Sequence, residues 1–173
     1  MTLQRKIGLS SRCPVMTPAS AAFMDSYLDS LTLVERLHRL LLDVIKDEFE
    51  RIGILELSAV QALLLFNVGD AEVTAGELKS RGYYQGSNVS YNLKKLVEYG
   101  YMHHERSEID RRSVRVRLTE KGRNIHDIVS RLFVAHSEGL LKRRVMDQKG
   151  IEDINTALRR MERYWTEQIR YIY

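Results

Sequence analysis

The residues best equipped for chemistry lie between Glu77 and Lys121. From Ser87 onward, Val89, Leu93, Leu96 and Val97 fall at i, i+4, i+7 and i+8, the spacing of one buried stripe on a helix. The opposite face carries Ser87, Asn88, Ser90, Tyr91, Asn92, Lys94 and Lys95, and no carboxylate interrupts it until Glu98. Short hydroxyl and amide side chains near a helix N-terminus can exchange hydrogen bonds with base edges in a major groove. Lysines beside them can neutralise phosphates. The chemistry implied is non-covalent recognition of duplex DNA. Asn88, Ser90, Tyr91 and Asn92 are expected at bases, Lys94 and Lys95 at phosphates. Gly100 follows as the helix C-cap.

A second constellation comes next in the chain. Val114, Val116 and Leu118 alternate with Ser113, Arg115 and Arg117, a period of two with one apolar and one basic face. Tyr101 to Arg106 is the natural antiparallel partner, and the connection between them holds Asp110, Arg111 and Arg112. A basic tip on a two-stranded hairpin beside a recognition helix is a wing. An arginine there can enter a narrow A·T-rich minor groove, where the negative potential is deepest. Arg115 and Arg117 are expected at phosphates, with Arg111 in the same basic surface.

Charge agrees with this placement. Residues 79–123 hold eleven Lys or Arg against five acids, whereas the whole chain of 173 residues carries only +4. The rest of the chain is therefore slightly acidic, and the positive footprint expected for nucleic acid sits on the motif. The bland reading of those charges is a solvated face. Their coincidence with the helical pattern and the hairpin argues against it.

The remaining elements must position this surface. Residues 1–16 show no period and read as a flexible arm. Thr17-Pro18 is a helix start, a hydroxyl cap followed by proline at the first helical position. The long helix that follows runs to about Arg51. Phe23, Tyr27, Leu31, Val34, Leu37, Leu41, Val44 and Glu48 mark one face, broadened by Leu33, Leu40 and Phe49, before Gly53 ends it. That apolar surface exceeds what a small winged domain covers. Leu57 to Val68 reads as a helix capped by Ser58, with Val60, Leu63, Leu64 and Leu65 as core. A short strand is expected at Val73, then a helix from Ala75 to Arg81 and a turn over Gly82 to Gly86. After the hairpin, Thr119 caps a helix from Glu120 to about Val145. Its apolar side is Ile125, Ile128, Val129, Leu132, Phe133, His136, Leu140 and Leu141. Gly150 is expected to break the chain before a last amphipathic helix, Ile151 to about Ile172, with Ile154, Leu158, Met161, Trp165 and Ile169 on one face.

Composition excludes several classes. No run of eighteen apolar residues exists, so no membrane helix is expected. Met1 to Ser11 has no apolar core of a secretory signal. The lone Cys13 allows no internal disulfide and fits a cytoplasmic protein. No nucleophile elbow, zinc-protease or phosphate-loop motif is present, so an enzyme is not expected, and no cofactor is implied. The five histidines form no ligand pair at i, i+4, and His136 reads as a core or interface residue.

The pieces together resemble a MarR-type winged helix-turn-helix transcription regulator. The resemblance rests on Thr74-Ala75-Gly76-Glu77-Leu78, Ser87-Asn88-Val89-Ser90, Leu93-Lys94-Lys95-Leu96, Gly100-Tyr101, Asp110-Arg111-Arg112-Ser113 and Leu118-Thr119-Glu120-Lys121-Gly122-Arg123. It covers roughly residues 30 to 173. The stretch from Gly82 to Asn92 resembles the branch that regulates cell-wall L,D-transpeptidase genes in alphaproteobacteria.

The resemblance implies a mostly α fold with a small β wing and an all-helical dimerisation layer. Residues 57–119 would form the DNA-binding domain, with 17–56 and 120–173 in the dimerisation region. It implies that Asp110 pairs with Arg112, which probes the minor groove. It further implies a homodimer on a palindromic operator, modulated by a small apolar or aromatic effector in a crevice near Leu63 and Phe66. Other readings stay open: a zinc-sensing or thiol-switched regulator of the same fold, the thiol being Cys13, or an architectural DNA binder without sequence preference.

Overall fold

The structure is a computed structural model that describes residues 17–80, 86–106 and 114–172. Asp110, Arg111 and Arg112, and the expected turn over 82–85, lie outside the described residues. The chain divides into two units, residues 1–44 and 45–173.

The first helix, α1 (Pro18–Arg51), begins where the Thr17-Pro18 pair places it. The Thr17 hydroxyl accepts a hydrogen bond from the Ser20 amide at 3.2 Å. Within residues 18–44 the apolar side chains are largely uncovered: Phe23 is 74% exposed and Leu37 63%. Phe23 and Tyr27 stack on each other one turn apart.

In the second unit, the last turns of α1 bury Ile45 and Phe49. The stripe expected at Val44 and Glu48 is displaced by one residue, onto Ile45 and Phe49. Both expected positions are half-buried instead. Helix α2 (Ala59–Val68) starts two residues later than expected, because Leu57 precedes its cap. Ser58 and Gln61 form a reciprocal capping box, each side chain accepting from the other's backbone amide. Leu63, Leu64, Leu65 and Val68 are buried on α2.

Strand β1 (Val73–Thr74) leads into α3 (Ala75–Ser80); Arg81, the expected last residue of this helix, lies outside the described residues. Thr74 and Glu77 cap its start in the same reciprocal manner. Helix α4 (Gly86–Glu98) begins one residue before Ser87, and the chain leaves it through Gly100, whose φ of +74° favours a residue without Cβ. Strands β2 (Met102–Arg106) and β3 (Val114–Leu118) pair antiparallel, with Met102 opposite Leu118 and Glu105 opposite Arg115. β1 adds to the free edge of β3, giving the order β1-β3-β2.

Helix α5 (Glu120–Lys142) is capped by the Thr119 hydroxyl, which accepts from the Gly122 amide at 3.1 Å. Here the Leu118-Thr119-Glu120-Lys121-Gly122 motif acquires a mechanical meaning. The Thr119 hydroxyl donates to the Gly100 carbonyl, and the Lys121 ammonium to the Tyr99 carbonyl. A Cβ at Gly122 would overlap the Tyr101 carbonyl oxygen. The motif docks the start of α5 onto the turn that leaves α4.

The end of α5 departs from expectation. The helix stops at Lys142, and the reversal lies at residues 143–147, where Arg144 takes a φ of +54°. Gly150 does not break the chain. It sits in the first turn of α6 (Gln148–Ile172), its amide donating to the Asp147 carboxylate at 2.7 Å. An aspartate at the cap contributes about 1 kcal/mol, enough to offset about 1 kcal/mol for glycine inside a helix. His136, expected in a core or interface, is exposed in the single chain, as are Leu140 and Leu141.

Candidate nucleic-acid interface

Helix α4 turns its stripe inward as its spacing predicts: Val89 and Leu96 are fully buried and Leu93 nearly so. That anchors the helix with Ser90, Tyr91 and Lys94 outward, Tyr91 being 62% exposed. Glu98 shares this outward stripe. Asn92 and Lys95 lie about a third of a turn round at ~100° per residue, and both are half-buried. Ser87 and Asn88 fall in the first turn of α4. Of the expected base-reading set, Ser90 and Tyr91 share the outward stripe and Asn92 stands beside it.

The cations are held by carboxylates. Glu98 takes the Lys95 ammonium at 3.0 Å and the Lys94 ammonium at 3.8 Å. Glu98 is the first cause of the raised pKa of Lys95, and the ammonium also lies 5.7 Å from the Tyr99 ring centroid. On β3 the alternation holds, with Val116 and Leu118 inward and Arg115 and Arg117 outward. Arg115 reaches Glu72 at 3.1 Å, and Arg117 reaches Glu105 at 3.0 Å. The sequence reading named the four cations but not Glu72 or Glu105. Glu105 stands on the hairpin partner strand opposite Arg115, and it meets Arg117 on the diagonal. Glu72 lies 43 residues from Arg115, and no local signal links them.

Of the two crevice candidates, Leu63 is buried. Phe66 is half-buried, stacked on His126 at 5.4 Å and edge-on to Phe133 at 4.9 Å. Among the described residues, no group of three His, Cys, Asp or Glu stands close enough to hold a metal ion. No described helix is long and apolar enough to cross a membrane.

A three-stranded sheet with a hairpin beside a helix of this kind defines a winged helix DNA-binding protein. A winged helix DNA-binding domain model matches residues 57–122. ExpG of Rhizobium meliloti (strain 1021), an exopolysaccharide II synthesis transcriptional activator, is 33% identical over 146 residues, which are 84% of this chain and 75% of ExpG. Among solved structures, FabT of Streptococcus pneumoniae in complex with DNA superposes with a TM-score of 0.59 at 24% identity, covering 86% of this chain and 99% of FabT. The transcriptional regulator SlyA superposes with a TM-score of 0.68 at 18% identity, covering 84% and 99%. These two likenesses are of fold. The chain belongs to the MarR family of winged helix-turn-helix transcriptional regulators. It is a DNA-binding regulator of transcription.

Proposed function

We propose that the chain acts as a homodimer on a palindromic operator, with occupancy modulated by a small apolar or aromatic effector. The observation that carries the DNA reading is the division of α4 into an inward stripe, with Val89, Leu93 and Leu96 buried and Val97 half-buried, and an outward stripe of Ser90, Tyr91 and Lys94. An arrangement of this kind presents polar atoms on a rigid support. Asn88 and Asn92 complete the base-facing set with Ser90 and Tyr91 in this reading, with Ser87 beside them. Lys94, Lys95, Arg115 and Arg117 serve phosphates, Arg111 belongs to the same basic surface, and Arg112 enters the minor groove held by Asp110.

Support for the dimer comes from α6. Ile151, Ile154, Leu158, Trp165 and Ile169 recur at helical spacing and are each between 38% and 61% exposed. A stripe of that length is stable in water when a second chain covers it. A twofold dimer reads half-sites about 34–36 Å apart. The effector reading rests on the Phe66, His126 and Phe133 aromatic cluster, which offers stacking faces to a planar ligand.

Selection of bound sequences from a random-duplex library, at two salt concentrations, tests the reading. An enriched palindrome, bound by two chains and lost steeply as salt rises, is the expected result. Salt-sensitive binding with no enrichment would replace it with an architectural role. Within the enriched site, Asn92→Ala should relax sequence preference, whereas Lys95→Ala should weaken all sequences alike.

A further inference from the structure

The Tyr101 side chain joins the segment that leaves α4 to two others, the α1–α2 connection and the start of α5. Its ring is buried, 1% exposed, directly after Gly100 ends α4. Its hydroxyl donates to the Glu56 carboxylate at 2.7 Å, across 45 residues of chain. Glu56 belongs to the short connection between α1 and α2. Over the same ring, 3.9 Å from its centroid, stands the Lys121 ammonium from the first turn of α5. The Tyr101 backbone is held as well: its carbonyl accepts from the Thr119 amide at 3.1 Å, and its amide donates to the Leu96 carbonyl at 2.8 Å.

Each of these contacts alone is ordinary. Together they tie the C-terminal end of α4 and the start of β2 to the α1–α2 connection on one side and to α5 on the other. The backbone bonds are directional too, but they join Tyr101 to the end of α4 and to the start of α5. The hydroxyl–carboxylate bond is the one that carries a direction across to the α1–α2 connection, and its charge assistance makes it the stronger.

We propose that Glu56 and Tyr101 are positioning residues for DNA recognition: their hydrogen bond sets the pitch of α4 against the α1–α2 connection. The spacing of the two recognition helices in a dimer then follows from it. This rests on the dimeric operator reading given above. Neither residue touches DNA in this scheme. Its loss leaves the cations and base-facing groups of α4 intact, so affinity for arbitrary duplex is retained. What is lost is the ability to reject an operator whose half-sites are wrongly spaced.

The test uses the full chain and four variants: Tyr101→Phe, Glu56→Ala, Glu56→Gln, and Tyr99→Phe as a nearby exposed control. Two readouts are taken. The first, without DNA, is amide hydrogen exchange. Tyr101→Phe and Glu56→Ala should each speed exchange over residues 54–58 and 99–102 by about tenfold, the worth of one charge-assisted bond, and leave α6 unchanged. Glu56→Gln keeps an acceptor and should stay within about threefold of the parent.

The second readout is binding to the selected palindrome and to versions lengthened or shortened by one base pair between half-sites. The parent should discriminate among them, and Tyr101→Phe and Glu56→Ala should lose most of that discrimination while binding random duplex as before. Unchanged exchange in both variants would overturn the proposal, as would an affinity loss equal on every duplex. If the parent enriches no palindrome, the operator reading and the recognition role fall together, and the exchange data still decide whether the bond holds the segments.

Discussion

Lys95 and Glu98 hold each other at 3.0 Å on α4, the helix proposed above to face DNA, and the same carboxylate draws in Lys94. The acid occupies, in the free protein, the place a phosphate oxygen would take at those ammonium groups. With Lys94 and Lys95 at phosphates, as proposed, binding DNA would exchange one anion for another rather than engage free cations, which would moderate affinity.

Glu98→Gln should tighten DNA binding by about two- to fivefold at low salt, the scale of exposed ion pairs released. It should also steepen the fall of affinity with salt, because more cations are free to displace counterions. Fluorescence anisotropy across a salt series measures both. Glu152→Gln on α6 makes the same change of net charge at a distance. If the two variants behave alike, only overall charge matters and the local exchange is refuted.

Gly122→Ala places a methyl group where the Tyr101 carbonyl oxygen already sits. Backbone has to shift, so a loss of about 1–3 kcal/mol is expected, the range of overpacked sites. Thermal unfolding reads it. Gly139→Ala, with open space around the added methyl, should be neutral or stabilising. An unaltered melting temperature in Gly122→Ala would mean that α5 does not dock on this turn.

The Glu56–Tyr101 pair makes stability depend on pH in a predictable sense. The Tyr101 hydroxyl holds the Glu56 carboxyl below its ordinary value. Burial, then the bond to Glu56, pushes the Tyr101 phenol well above its own. A depressed carboxylate contributes stability above its unfolded pKa of about 4.3, lost as pH falls through the folded value. A raised phenol contributes stability below its unfolded pKa of about 10, lost as pH rises beyond it toward the folded value. Urea unfolding of the parent and Tyr101→Phe should therefore differ most between about pH 5 and 9 and converge on both sides. Parallel curves at every pH would show that the bond contributes nothing.

The elements and their caps were legible in the chain because the interactions that set them span four residues or fewer. Thr17-Pro18, Ser58, Thr119 and Gly100 each act on their own first or last turn, and each does so in the structure. The inward stripe of α4 and the alternation of β3 follow from periods of 3.6 and two, and they are present. Where two local signals competed, the reading chose wrongly: glycine at 150 drew attention from the aspartate at 147 that caps the helix.

What the chain order did not reveal are the meetings across the fold. Glu72 with Arg115, Glu56 with Tyr101 and Phe66 with His126 join residues between 43 and 60 positions apart. No periodicity carries that information, because such partners are chosen by sheet order and by how α5 docks on the turn after α4. Sequence by itself determined the inward face of α4 and the alternation of β3, and with them which polar groups stand outward. Tertiary structure decided which carboxylate each cation meets, since that depends on distances closed only when the segments pack.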